Sequence, residues 1–196
     1  MASKLATTAR YLNARHPAGA VLPPLVLLTD RARLPDPCAA ARLLPPGSLV
    51  ILRDGDLPAA DRLALGLRLA AVCRAGRLGL LVSGDPALAR RLGALGVHWP
   101  ERQLPARVRG FATAAAHGLR ALVRARRAGV RAALLSPVLP TGSHPGAPCL
   151  GVMRFAGLVR RAGLPVYALG GIDGASAPRL NGTGAVGIAA IGAFRP

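Results

Sequence analysis

Acidic residues are scarce in this chain: 8 Asp and Glu stand against 26 Lys and Arg, for a formal charge of +18 over 196 residues. Lysine is nearly absent too, so the basicity is carried by arginine. Such a balance attracts nucleic acid, anionic lipid or a phosphorylated ligand over long range. Aromatics make up only 3% of the chain, and no basic stretch is interleaved with stacking side chains. A dedicated nucleic-acid partner is therefore not expected. The same scarcity leaves a core of Ala, Leu and Val, which fits finely divided strands and helices better than an aromatic-rich sandwich.

Three cysteines, Cys38, Cys73 and Cys149, are far apart and odd in number, which excludes a disulfide framework and a cysteine metal cluster as readings. No zinc-type histidine spacing is present. No run of apolar residues is long enough to span a bilayer, and residues 1–24 lack an uninterrupted signal-peptide core. The default expectations are a cytoplasmic location and no membrane partner, with a homo-oligomer left open. Residues 1–24 are expected to be a tail or one short covering helix, and residues 25–196 a single domain.

What is present is a repeated alternation of short apolar runs and helical segments. LVLL (25–28), LVIL (49–52), GLLV (79–82), GVHW (96–99), GFATAA (110–115), AALL (132–135), VYAL (166–169) and AVGIAAIG (185–192) read as strands. Between them, residues 58–75 form the clearest helical pattern, with Leu63, Leu67, Ala70 and Ala71 assigned to one face. Residues 117–128 form another, with Leu119, Leu122 and Val123 as the apolar face and Arg120, Arg124 and Arg127 opposite. Glycine at successive helix ends suggests left-handed caps. Eight strands separated by helices predict parallel βα units, either an open doubly wound sheet or a closed barrel. A barrel would be a trimmed one, below the roughly 250 residues typical of the fold.

In a barrel the strand C-termini share one mouth. That mouth would gather Asp30, Arg53, Asp54, Ser83, Asp85, His98, His117, Ser136, Thr141, Ser143, His144 and the Gly170-Gly171 amides. The loop from Ser136 to Gly151 is stiffened by four prolines and carries Thr141 and Ser143 as hydroxyl donors suited to phosphate oxygens. Gly170-Gly171 after strand seven can supply backbone amides to an anion. Arg53, at a strand end, suits two-point phosphate contact. His98 reads first as a satisfied core imidazole and second as a ligand donor.

In this order, LLTD, LVILR, ALGVHW, SPVLPTGSHPG, YALGGI and GAVGIAAIGAF resemble the thiamine phosphate synthase and thiazole tautomerase family over residues 25–194. The resemblance implies a compact (βα)8 TIM barrel. It also implies a synthase that joins hydroxymethylpyrimidine diphosphate to a thiazole phosphate, with magnesium and basic residues favouring the departure of pyrophosphate. Carried onto this chain, the family's Gln-x-Arg-x-Lys reads Ile51, Leu52, Arg53, Asp54, Gly55. The Asn-Asp that supplies a metal ligand falls on Ser83-Gly84, and the second metal Asp on Gln103. A Ser before His117 is Ala115, and Thr-x-Thr-Lys becomes Thr141, Gly142, Ser143, His144. Gly170 and Gly171 match, and Gly192 replaces a serine.

The resulting expectation is a synthase-like transferase. Its catalytic residues would be Arg53, His117 and His144, and its substrate or phosphate contacts Thr141, Ser143, Gly170, Gly171, Gly192 and His98. Magnesium is expected only if Asp30 and Asp85 replace the missing ligands. The alternatives are a barrel that binds a thiazole or thiamine phosphate with little or no catalysis, and a tautomerase-like isomerase using His117 or His144 as base.

Overall fold

A computed structural model describes residues 2–141 and 148–192. Eight parallel strands close into a barrel in chain order: β1 (Leu25–Leu28), β2 (Leu49–Leu52), β3 (Gly79–Ser83), β4 (Gly96–Trp99), β5 (Phe111–Ala116), β6 (Ala132–Leu135), β7 (Val166–Leu169) and β8 (Gly187–Ala190). Closure is made by β1 pairing with β8, Val26 opposite Ala189. The closed reading is thus the correct one, and the open sheet is excluded.

Each strand is so short that side-chain alternation divides it cleanly between two layers. Val26, Leu28, Leu49, Ile51, Leu81 and Leu134 point into the barrel and form one buried cluster with Tyr167. Their neighbours Leu25, Leu27, Val50, Leu52, Leu80 and Val82 point outward into a second cluster under the helices. Apolar residues on both faces explain why the strands read as continuous hydrophobic runs. The Tyr167 hydroxyl donates to the Pro23 carbonyl at 2.6 Å and closes the lower end of the interior.

The helices are α1 (Ala2–Ala14), α2 (Pro37–Arg42), α3 (Ala59–Gly76), α4 (Pro86–Arg91), α5 (Leu119–Ala128) and α6 (Gly151–Ala162). Each helix from α2 to α6 carries arginine in its last turn: Arg42, Arg74, Arg90 with Arg91, Arg126 with Arg127, and Arg160 with Arg161. A cation there complements the negative end of the helix dipole. Within residues 1–24, α1 buries Leu5, Ala9 and Leu12 against the seam where β8 meets β1. Asn13 locks it in place by donating through Nδ2 to the carbonyls of Leu22 at 2.9 Å and Val186 at 3.0 Å.

Two helix faces differ from the sequence expectation. In α3 the buried residues are Leu65, Gly66, Leu69, Ala70 and Cys73, while Leu67 is 52% exposed. Leucine at every second position from 63 to 69 gives no single stripe, so packing against β2, β3 and α2 selects the face. In α5 the buried face is Ala121, Leu122, Ala125 and Ala128, because small side chains let the helix lie close to the barrel. Among the described residues no helix is long and apolar enough to cross a membrane.

Candidate active-site mouth

A cavity of about 1130 Å³ opens at the strand C-termini, on the side of β5 to β8, β1 and β2. Of the sequence candidates it collects Asp30, Arg53, His117, Ser136, Thr141, Gly170, Gly171 and Gly192. Ser143 and His144 lie outside the described residues. Asp54, Ser83, Asp85 and His98 are not among its lining residues.

The ends of β1 and β2 are tied together by Asp54. Its carboxylate accepts from the Thr29 hydroxyl and, at 2.9 Å, from the Arg31 amide, while Thr29 Oγ1 accepts from the Arg53 amide at 2.9 Å. This lattice fixes the backbone of Arg53 and commits Asp54 to structure. Above it, Asp30 Oδ2 pairs with Arg53 Nη2 and, at 2.6 Å, with Arg33 Nη1. Asp30 is buried to 7% exposure, whereas the Arg53 side chain is 43% exposed. One carboxylate thus holds two guanidiniums at the cavity wall. Arg33 was missed in the sequence; its one signal was the three-residue spacing from Asp30.

Another wall of the cavity is the turn after β7. The chain leaving β6 runs beside it, with the Val138 amide donating to Leu169 at 2.9 Å and the Leu139 amide donating to Gly170 at 3.1 Å. A Cβ on Gly171 would stand 2.3 Å from the Pro140 carbonyl oxygen, and the residue holds φ +68°. No other residue fits that contact, so the tandem glycine is what brings the long loop against the end of β7. At the rim, Asp173 accepts from the backbone amides of Ser176 and Ala175 and from the Ser176 hydroxyl. These bonds, led by the Ser176 amide, hold its carboxyl below the ordinary aspartate value. This charge also lines the cavity, at the rim where the turn begins.

His117 lines the cavity from the end of β5. Glu101 Oε2 lies 2.6 Å from His117 Nδ1 and accepts the His117 amide at 3.0 Å. Glu101 is the chain's single glutamate and was not anticipated as a partner. Its contact is set by the pairing of β4 with β5, which sequence spacing does not show. His98 sits inside the barrel at 4% exposure, its Nδ1 2.8 Å from Thr113 Oγ1. Burial first, and then the nearby Arg53 charge, push its pKa down to about 4.

The positions to which the resemblance assigns magnesium do not fit that ion. Gly84 has no side chain, and a Cβ there would stand 2.5 Å from Gln103 Oε1, so the neutral amide of Gln103 fills the space. Arg62 reaches the same strand end, donating through Nη2 to the Ser83 carbonyl at 2.6 Å. Magnesium prefers carboxylate oxygens and water; an amide and a guanidinium are the wrong donor set. Nor does Asp85 join Asp30 at the cavity. It caps α4 by accepting from the Leu88 amide at 2.9 Å and pairs with Arg62 Nη1 at 3.3 Å. Among the described residues no three of His, Cys, Asp and Glu converge in a metal-holding group.

The family profile described as thiamine monophosphate synthase matches residues 25–194. A provisionally named second thiamine-phosphate synthase of Aquifex aeolicus is 31% identical over 185 residues, covering 88% of this chain and 98% of the relative. The thiamine-phosphate synthase of Methylococcus capsulatus is 33% identical, covering 78% of this chain and 72% of its own length. A solved thiamine phosphate pyrophosphorylase from Pyrococcus furiosus shares the fold, with a TM-score of 0.72, 23% identity, and coverage of 85% of this chain and 84% of that one.

Proposed function

Because this chain belongs to the thiamine monophosphate synthase family, we propose that its mouth binds a thiazole phosphate or thiamine phosphate as an anionic ligand, with little or no turnover of the family reaction. The observation that carries this reading is that the Arg33 and Arg53 guanidiniums, gathered on Asp30, line the same cavity as the Gly170-Gly171 turn. The guanidiniums supply charge and directed donors, and the glycine turn lets ligand oxygens approach the backbone closely. Thr141 lines the same cavity. Ser143 and His144 follow it on the loop and are assigned here as further ligand contacts. Because the family's metal positions hold Gly84 and Gln103, arginine takes the place of a metal ion in meeting ligand charge under this reading.

Calorimetric titration with thiamine phosphate should show saturable binding, weakened about tenfold or more by Arg53→Ala, the scale of a charge-assisted hydrogen bond. Equal affinity in the variant refutes the reading.

The family's transferase reaction is the second reading, favoured by the joint presence of Arg53 and His117 in one cavity. Under it, pyrophosphate is released only when hydroxymethylpyrimidine diphosphate and thiazole phosphate are both supplied. Binding of thiamine phosphate without any such release leaves the first reading standing alone.

A further inference from the structure

The fold sorts the scarce acids to one end of the barrel. Asp30 and Asp36 follow β1, Asp54, Asp56 and Asp61 follow β2, Asp85 follows β3, Glu101 follows β4 and Asp173 follows β7. All eight therefore stand at the mouth or in the first turn of a helix leaving it. In a βα barrel every helix runs back to the opposite end, the base, and there, among the described residues, no ion pair joins a last-turn arginine to a carboxylate. The four ion pairs among the described residues, those of Arg33, Arg53, Arg62 and His117, all lie at the mouth.

Neighbouring base arginines are also drawn together. The Val108 amide donates to the Ala128 carbonyl at 2.9 Å, which sets Arg107 and Arg109 beside the end of α5. A Cβ on Gly163 would stand 3.0 Å from Arg126 Cδ, so the ends of α5 and α6 touch there and their exposed arginines join into one basic surface. The helix dipole favours cations at helix C-termini and acids such as Asp36, Asp61 and Asp85 at helix N-termini, and the outcome is a base that carries arginine with no Asp or Glu side chain.

The same surface shows apolar side chains at its turns. Val21 is 77% exposed ahead of β1, Leu43 50% at the end of α2, and Leu95 53% between α4 and β4, whereas Met153, in the first turn of α6, stands exposed toward the mouth. Beside Leu95, a cavity of about 270 Å³ opens between α3 and α4, lined by Ala70, Cys73, Leu78 and Leu92 with Arg74.

We propose that the base of the barrel is a docking surface for an anionic lipid bilayer, which it meets through its arginines and its protruding apolar turns while the mouth faces the solution. Arginine interspersed with exposed aliphatic side chains is the chemistry of an interface between headgroups and acyl chains. A nucleic acid would meet the arginines and leave Val21, Leu43 and Leu95 against a polar backbone. Tyr11, the one aromatic of α1, already carries the Arg15 guanidinium carbon 5.4 Å from its ring centre.

The test is co-sedimentation of the full chain with vesicles of phosphatidylcholine alone and of phosphatidylcholine mixed with phosphatidylglycerol. Binding should require phosphatidylglycerol and weaken as salt is raised. The pair Arg127→Glu with Arg161→Glu should lower partitioning by about tenfold or more. The pair Arg31→Glu with Arg102→Glu changes the net charge equally at the mouth end and should stay within about twofold, since charges beyond a Debye length of about 10 Å are screened. Leu95→Ser should weaken vesicle binding about threefold or more and leave binding to a DNA duplex unchanged. The proposal is overturned by equal sedimentation with both vesicle types or by equal losses in the two charge-reversed pairs. Tighter binding to the duplex than to the vesicles, indifferent to Leu95→Ser, overturns it as well.

Discussion

His98 shows how a residue can stand in the right strand and still serve the core. Its imidazole is buried in the barrel interior, bonded to Thr113, and held neutral with a pKa near 4. In the unfolded chain the same group titrates near 6.5. As pH falls, the unfolded chain takes up a proton that the folded chain refuses, so stability present above about 6.5 is lost progressively toward pH 4. The expected contribution is roughly 3 kcal/mol. Denaturant melts at neutral and mildly acidic pH should show it as a loss in the parent chain that is largely missing in His98→Asn. A slope unchanged by the substitution would assign the acid sensitivity to other groups.

At the scale of elements, α4 gives a sharp test of the carboxylate beside it. Asp85 accepts the Leu88 amide as the N-cap of a six-residue helix and pairs with Arg62. Asp85→Ala should therefore cost about 1 kcal/mol of stability, the usual loss for such a cap, with thiamine phosphate affinity unchanged. A large loss of ligand affinity with intact stability would return Asp85 to the site. Elements such as LVLL, LVIL and AALL were readable in the sequence because a strand buried on both faces is a continuous apolar run. The face of α3 was not, because alternating leucines satisfy several helical faces and only the neighbouring strands choose among them. In the site, Arg53, Thr141 and the glycine pair were readable from their order along the chain. Their partners were not: Asp30 meets Arg53 across 23 residues and Glu101 meets His117 across 16, distances set by barrel register.

For the molecule as a whole, +18 on 196 residues is a standing repulsion that the core must overcome. Salt screens that repulsion over the Debye length. Thermal unfolding should therefore shift upward as sodium chloride is added, followed by circular dichroism; a downward shift would mean that the mouth ion pairs outweigh the unpaired arginines. The barrel also imposes a timetable on its own completion. Asn13 on α1 bonds to Val186 across 173 residues, and β1 finds its second neighbour only in β8. During synthesis the apolar side of α1 thus has no finished surface to rest on until the eighth strand has left the ribosome. With so many of its contacts distant in sequence, the chain is expected to fold slowly for its size.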